Sequence, residues 1–391
     1  MNNKIIILLF PLSLLGFGIY SFSQIDLNLT LSSWFPYQAF QKEMINLGYF
    51  NRPLSTIIFL ILIFSIFFSY LFLLKQIQKN LFTLKTFKIF VLITVLILIF
   101  SYPAFSHDIF NYIFDARTVL KHHQSPYDVR PLDYKNDPWT RFMHWTHRPS
   151  VFPPGWIFLS FSPYLLGFGK FTLTLINFKI FVAVFYLLSI IVFKQILKET
   201  KDKLSLFKLT LFSLNPLVIT ESLISAHMDI VMVFFALFGF YQLLKKRYYL
   251  SFFLILFSAS IKYITIYLLP VLLITIFFSK TKKRITQSSV INLTLFFSII
   301  AFVTFVLKYG LNPWYFLWIF PFLILKFERA NTLLALSFLT LFLTLHYAPF
   351  LYYGFWTKPT STIRSFFTVL GALIFLGAYL FDTINLKRVS K

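Results

Sequence analysis

Three apolar runs, 54–74, 89–105 and 288–306, contain no Asp, Glu, Lys or Arg, and they set the class of fold open to this chain. A bilayer is crossed by about 20 apolar helical residues. In lipid, a helix or a closed barrel is required to satisfy the backbone. Barrel strands would alternate apolar and polar residues, and these runs do not. Hydrophobic residues make up 58% of the 391 positions and charged residues 13%, against about 25% charge in a soluble domain. The chain is therefore expected to be an all-α, polytopic membrane protein. Lys4 precedes an apolar stretch that resembles a signal peptide. With so many later apolar runs, residues 1–24 are expected to be an uncleaved first span. No Gly/Ser linker, low-complexity tract or internal repeat divides the sequence, so 1–391 is expected to form one domain. The absence of cysteine excludes disulfides and thiolate metal sites.

The net charge of +23 does not point to nucleic acid, because most Lys and Arg residues fall in short clusters between apolar runs. These clusters are Lys75/Lys79/Lys85/Lys88, Lys194/Lys198/Lys201/Lys203/Lys208, Lys245/Lys246/Arg247, Lys280/Lys282/Lys283/Arg284, Lys326/Arg329 and Lys387/Arg388/Lys391. The positive-inside rule places them in the cytoplasm. Loops 24–53, 106–150, 215–228, 307–313 and 348–364 then face outward, and both termini face inward. Parity leaves 153–169, with Pro153, Pro154 and Pro163, as a short interfacial or re-entrant helix. It also makes 249–279 a cytoplasm-entered hairpin of two short helices with Lys262 near its apex. The expected total is about ten full spans plus this hairpin and outer interfacial helices. A lysine at that depth costs about 2.5–3.5 kcal/mol and points to function.

Residues 106–150 hold five of the 13 acidic residues and five of the seven histidines. Ser106 can cap a helix over 107–121. On a 3.6-residue period Asp108, Asn111, Tyr112 and Asp115 share one face, and Ile109, Ile113, Ala116 and Leu120 form an apolar flank. This pattern predicts an interfacial helix with an apolar face in lipid or protein and a carboxylate face toward water. Two carboxylates a heptad apart stand about 10 Å apart along the helix, too far to act as a dyad. Asp108, at the membrane boundary, is the chemical candidate; its simplest alternative role is as a helix N-terminal charge. The aromatic and polar residues that follow suit sugar rings.

A second cluster lies in NPLVITESLISAHMDIVM (215–232), where Asn215-Pro216 breaks a span and Glu221, His227 and Asp229 follow. Carboxylates and histidines scattered in this way are weak support for a metal, so no cofactor is expected to be required, a divalent cation being the one addition these side chains would allow. NPWYFLWIFP (312–321) supplies Trp314, Tyr315 and Trp318, which also fit an aromatic belt. Arg148 follows His147, just ahead of the Pro-rich segment, and can pair with a phosphate at headgroup depth. Carboxylates, cations and a sugar-friendly loop at one depth suit transfer of a sugar from a lipid phosphate to a hydroxyl. A carboxylate would act as general base, and cations would stabilise charge on the departing phosphate.

Over roughly 90–330 these motifs, in order, resemble the GT-C superfamily of polyprenyl-phosphate-sugar-dependent glycosyltransferases, and look most like bacterial α-mannosyltransferases that use polyprenyl-phosphate mannose. Asp108-x-x-x-Tyr112 with Arg117 and Pro126-Tyr127 is similar to the first outer loop of that group. HRPSVFPPGW (147–156), Asn215-Pro216 with Glu221 and His227-x-Asp229, SIKYITIYLLP (260–270) and NPWYFLWIFP follow in sequence. Met228 stands where related sequences often carry Asn, and Ile-Phe-Asp-Ala-Arg follows Tyr112 in place of a Gly-Arg pair. The resemblance implies Asp108 as catalytic base and Lys262 and Arg148 as donor-phosphate ligands. It further implies that His107, Tyr112, Arg117, Tyr127, Glu221, His227, Asp229, Trp314 and Tyr315 line the substrate site. The partners implied are a polyprenyl-phosphate-linked hexose such as mannose and a glycan or glycolipid acceptor, with inversion at the anomeric carbon, at the outer face of the cytoplasmic membrane. A lipid-linked glycan flippase, and a glycan polymerase or ligase, are the alternative readings.

Overall fold

The computed structural model describes residues 3–281 and 285–389, and every described element is helical. Of the basic residues used to set orientation, Lys282, Lys283, Arg284 and Lys391 lie outside the described residues. The helices are α1 (Asn3–Tyr20), α2 (Phe35–Ile45), α3 (Arg52–Gln78), α4 (Leu84–Leu98), α5 (Asp108–Leu120), α6 (Pro154–Leu165), α7 (Phe171–Glu199), α8 (Ser205–Ser213) and α9 (Pro216–Ile219). They continue as α10 (Asp229–Leu244), α11 (Tyr248–Ile261), α12 (Leu268–Ser279), α13 (Gln287–Tyr309), α14 (Phe320–Lys326), α15 (Ala330–Thr344), α16 (Tyr347–Tyr353) and α17 (Thr360–Val389).

Local chemistry explains where many of these begin. Proline occupies the first turn of α2, α3, α6, α9 and α14, where its missing N–H costs no intrahelical bond. Thr83, Thr286 and Asn215 cap α4, α13 and α9 with side-chain oxygens that accept from backbone N–H groups.

By length and composition, five described helical stretches can cross a membrane: Arg52–Gln78, Phe171–Glu199, Gln287–Tyr309, Ala330–Tyr353 and Thr360–Asn385. A sixth counts if α8 and the segment Pro216–Ile224, bent by 45° at Asn215-Pro216, form one span. The expected total of about ten full spans is not confirmed among the described residues. The difference arises because several apolar runs are not continuous helices. The run 89–105 stops being helical after Leu98, and Asp229–Leu244 has only 16 residues, about 24 Å of rise against a ~30 Å core.

Two expectations about short helices agree with the structure. Segment 153–169 forms only the 12-residue α6. Segment 249–279 is split into α11 and α12 by Lys262, whose backbone is extended (φ −153°, ψ 119°), and by a 3-10 turn, Tyr263–Tyr267.

The expectation for α5 is corrected. It does not present one face to lipid and another to water, because every residue from Ile109 to Thr118 is buried. The chain that follows folds over it. Phe142 and Phe171 pack on Phe110, Phe152 and Trp156 pack edge-on against Tyr112, and Tyr134 packs on Phe114. The first polar helix is thus a core element, and among its polar side chains only Asp108, in its first turn, stays partly exposed.

Candidate active site

At that end the Ser106 hydroxyl accepts from the Asp108 backbone N–H (3.2 Å), which starts the helix and holds Asp108 in its first turn. The Asp108 side chain remains 25% exposed. Burial pushes its carboxyl up to about 6, with Asp229 adding to the rise and Lys262 and Arg148 opposing it. These couplings place both cations and a second carboxylate within electrostatic reach of one acid.

The wall beside Asp108 is formed by the broken span. Asn215 caps α9 and hands over to a π-helical turn, Thr220–Ile224, that carries Glu221. Such wide turns concentrate at functional sites. Ala226 then adopts a left-handed backbone (φ 53°), a conformation that costs a residue with a Cβ about 1–2 kcal/mol. This turn aims His227 between two carboxylates. His227 Nδ1 lies 3.7 Å from Asp108 Oδ2, and Nε2 lies 3.4 Å from Glu221 Oε2. The other Glu221 oxygen accepts from the Tyr347 hydroxyl (2.8 Å). Trp314 stacks on the His227 ring at 4.4 Å. Lys179 stabilises the π turn from behind, donating to the Ile224 carbonyl (3.2 Å) and to the Ser101 carbonyl and hydroxyl (2.7 Å each).

Asp229 opens α10, where the helix N-terminus favours a carboxylate. Its Oδ1 accepts from Lys262 Nζ (2.7 Å) and Trp318 Nε1 (2.5 Å). Lys262 also lies over the Trp318 and Tyr315 rings, 4.8 and 5.2 Å from their centroids. The helix break at Lys262 turns the side chain back toward α10. An ammonium has three N–H donors and Asp229 accepts one of them. Arg148 is exposed, with its guanidinium 5.1 Å from the Trp145 centroid. It pulls electrostatically on both Asp108 and Asp115.

Tertiary packing therefore brings Asp108, Tyr112, Arg148, Glu221, His227, Asp229, Lys262, Trp314 and Tyr315 to one region. It does not bring Arg117 there. That side chain is buried in an ion pair with Asp137 (2.7 Å) and lies over Trp139 at 3.9 Å. Tyr127 donates to the Phe152 carbonyl (2.9 Å) at the edge of the loop. His107 stacks on His144 at 3.5 Å, and His144 is paired with Asp26 (3.0 Å). Burial drives the His107 imidazole down to about 3, so it is neutral. Asp115 accepts from the Ser150 hydroxyl (2.5 Å), and burial raises it to about 7. Tyr347, Trp318 and Lys179 join the site without having been expected there: Trp318 was named only with the aromatic segment, Lys179 is marked locally as the one charge in the apolar run 171–193, and no local pattern marks Tyr347.

Among the described residues no group of three or more His, Asp or Glu side chains is arranged to hold a metal ion. An open cavity of about 490 Å³ lies elsewhere, lined by Trp139, Arg141, Phe142, Lys170 and Phe171 among others. It shares no residue with the cluster. The converging ionisable groups, not cavity size, identify the site, because proton and phosphate chemistry needs them.

The sequence matches the alpha-(1->6)-mannopyranosyltransferase N-terminal domain family over residues 18–278. The chain belongs to this family. No curated protein and no solved structure matches it. As a member of the alpha-(1->6)-mannopyranosyltransferase family the chain is a glycosyltransferase, and its long apolar helices make it a membrane one. The matched stretch contains Asp108, Arg148, Glu221, His227, Asp229 and Lys262. Trp314, Trp318 and Tyr347, which close the cluster, lie beyond it.

Proposed function

We propose that this mannosyltransferase-family protein moves a hexose, mannose first among them, from a polyprenyl-phosphate donor to a glycan or glycolipid hydroxyl. The reading is of a GT-C enzyme in the cytoplasmic membrane, with both termini inside and the site at the outer face. The carrying observation is the placement of Asp108: a partly open carboxylate in the first turn of α5, within electrostatic reach of Lys262 and Arg148. A carboxyl titrating near 6 is ionised at neutral pH yet basic enough to share a proton in flight.

In this mechanism Asp108 takes the acceptor hydroxyl proton as the acceptor oxygen attacks the anomeric carbon. The bond from that carbon to the phosphate oxygen breaks on the opposite face, so configuration inverts. The departing lipid phosphate carries away the electron pair, and Lys262 and Arg148 neutralise its growing charge. Neither cation needs a metal beside it in this scheme. Tyr112, Glu221, His227, Asp229, Trp314 and Tyr315 shape the pocket around sugar and acceptor. Because Trp314, Trp318 and Tyr347 come from the last third of the chain, the whole of 1–391 works as one domain in this reading.

The test is transfer of radiolabelled mannose from synthetic polyprenyl-phosphate mannose by the purified protein in liposomes. Asp108→Asn is expected to lower turnover about 100-fold or more. Undiminished turnover by that variant would remove Asp108 from the reaction.

A further inference from the structure

We infer that His227 and Glu221 form a proton relay behind Asp108, carrying the acceptor's proton inward to a buried carboxylate. The inference rests on the role proposed above for Asp108.

Four groups lie in a line. Asp108 Oδ2 faces His227 Nδ1 at 3.7 Å, and His227 Nε2 faces Glu221 Oε2 at 3.4 Å. Tyr347 donates to the far oxygen, Oε1, which leaves Oε2 as the one directed at the imidazole. Both ring nitrogens and Oε2 are buried without a hydrogen-bond partner. Native interiors leave few such atoms unpaired, and each case calls for an explanation. Three in succession, facing one another and ending at a partly open carboxylate, suit a proton that is present for only part of the cycle. Contacts in unliganded enzymes often tighten to hydrogen-bond length only in the reacting complex.

Exposure gives the line a direction. Asp108 keeps 25% of its side-chain surface, while His227 and Glu221 keep none. Sugar and acceptor bound over Asp108 cover its open side, so a proton held there has no water to go to. His227 lies against its other side. The remaining charges near the line are otherwise engaged: Asp229 is bound by Lys262 and Trp318.

The step balances with a neutral imidazole at both ends. The step starts from the form in which Asp108 and Glu221 are ionised and His227 carries its proton on Nε2. The acceptor O–H bond breaks as its oxygen bonds the anomeric carbon, and the proton joins Asp108. Asp108 passes it to Nδ1 while Nε2 releases its own proton to Glu221 Oε2. The imidazole has changed tautomer, Asp108 is ionised again, and the proton rests on Glu221 until the products leave and the path runs in reverse to water.

The experiment uses the full chain in liposomes with synthetic polyprenyl-phosphate mannose. Glu221→Gln preserves size and an oxygen for the Tyr347 hydroxyl but removes the proton acceptor. Its kcat is expected to fall about tenfold or more, well beyond any change in KM for donor or acceptor, with a larger D₂O effect on kcat. His227→Gln should behave alike and serves as the measurement if Glu221→Gln does not fold. Wild-type kcat and an unchanged D₂O effect in these variants would overturn the relay, as would a raised KM at constant kcat, which marks a binding role. If the wild-type protein transfers no mannose, the proposed reaction fails and the relay with it; if Asp108→Asn transfers undiminished, the reading of Asp108 fails. If the wild type transfers and Asp108→Asn does not, while both relay variants do, only the relay fails.

Discussion

Asp108 owes its chemistry to where it sits more than to what it is. An exposed aspartate titrates near 4, too weak a base to draw on a hydroxyl. Burial at the head of α5 raises this one to about 6 against the pull of Lys262 and Arg148. The sign of the consequence is direct: the ionised form is the working base, so activity falls as pH drops through the raised pKa. The acid limb of kcat/KM is expected near pH 6, falling about tenfold per pH unit below it. A limb near 4 would mean that Asp108 is solvated in the working enzyme. Lys262 and Asp229 show the same dependence on surroundings. The lysine stands out in the sequence as a cation between two apolar stretches, yet it is counterbalanced by the one carboxylate that α10 starts with.

Element by element, the site is built from interruptions. Asn215-Pro216, the π turn 220–224, the left-handed Ala226 and the extended Lys262 each stop a helix where a functional side chain is needed. The breaks at Asn215-Pro216 and Lys262 are legible in the sequence because proline chemistry and a charge within an apolar run are local signals. The burial of α5 was not, because its period is amphipathic and only the packing of residues 121–153 shows what covers the second face. One junction ties these elements together. Gly155, in the first turn of α6, lies against Ser260 of α11, two residues before Lys262. A Cβ there would sit 2.1 Å from the Ser260 hydroxyl and 2.7 Å from its carbonyl oxygen. Gly155→Ala must therefore separate α6 from α11, at a cost of about 1–3 kcal/mol. A lowered thermal midpoint, together with a loss of transfer activity, is the expected result in detergent. An unchanged midpoint would show that the two helices can part freely.

For the molecule as a whole, the spans and the loops carry different kinds of information. The five long apolar helices account for the membrane, and the basic clusters between them carry an expectation of orientation that labelling can test. With no cysteine in the chain, single substitutions can report that orientation. Exposed Lys135→Cys, in the long polar loop, is expected to react with a membrane-impermeant maleimide in intact cells. Exposed Lys203→Cys, in the basic cluster after α7, is expected to react only after permeabilisation. Labelling of Lys203→Cys from outside would invert the arrangement and put the site on the cytoplasmic face. By itself the sequence determined the helical membrane class, the breaks in its spans and a set of acids and cations at those breaks, because apolar length, proline and charge act locally. The tertiary structure alone decided the pairings: Asp229 with Lys262 and Trp318, His227 between Asp108 and Glu221, Tyr347 on Glu221, and Arg117 withdrawn to Asp137. These contacts join residues as much as 126 positions apart, and their distances depend on how whole helices pack, which no local signal carries.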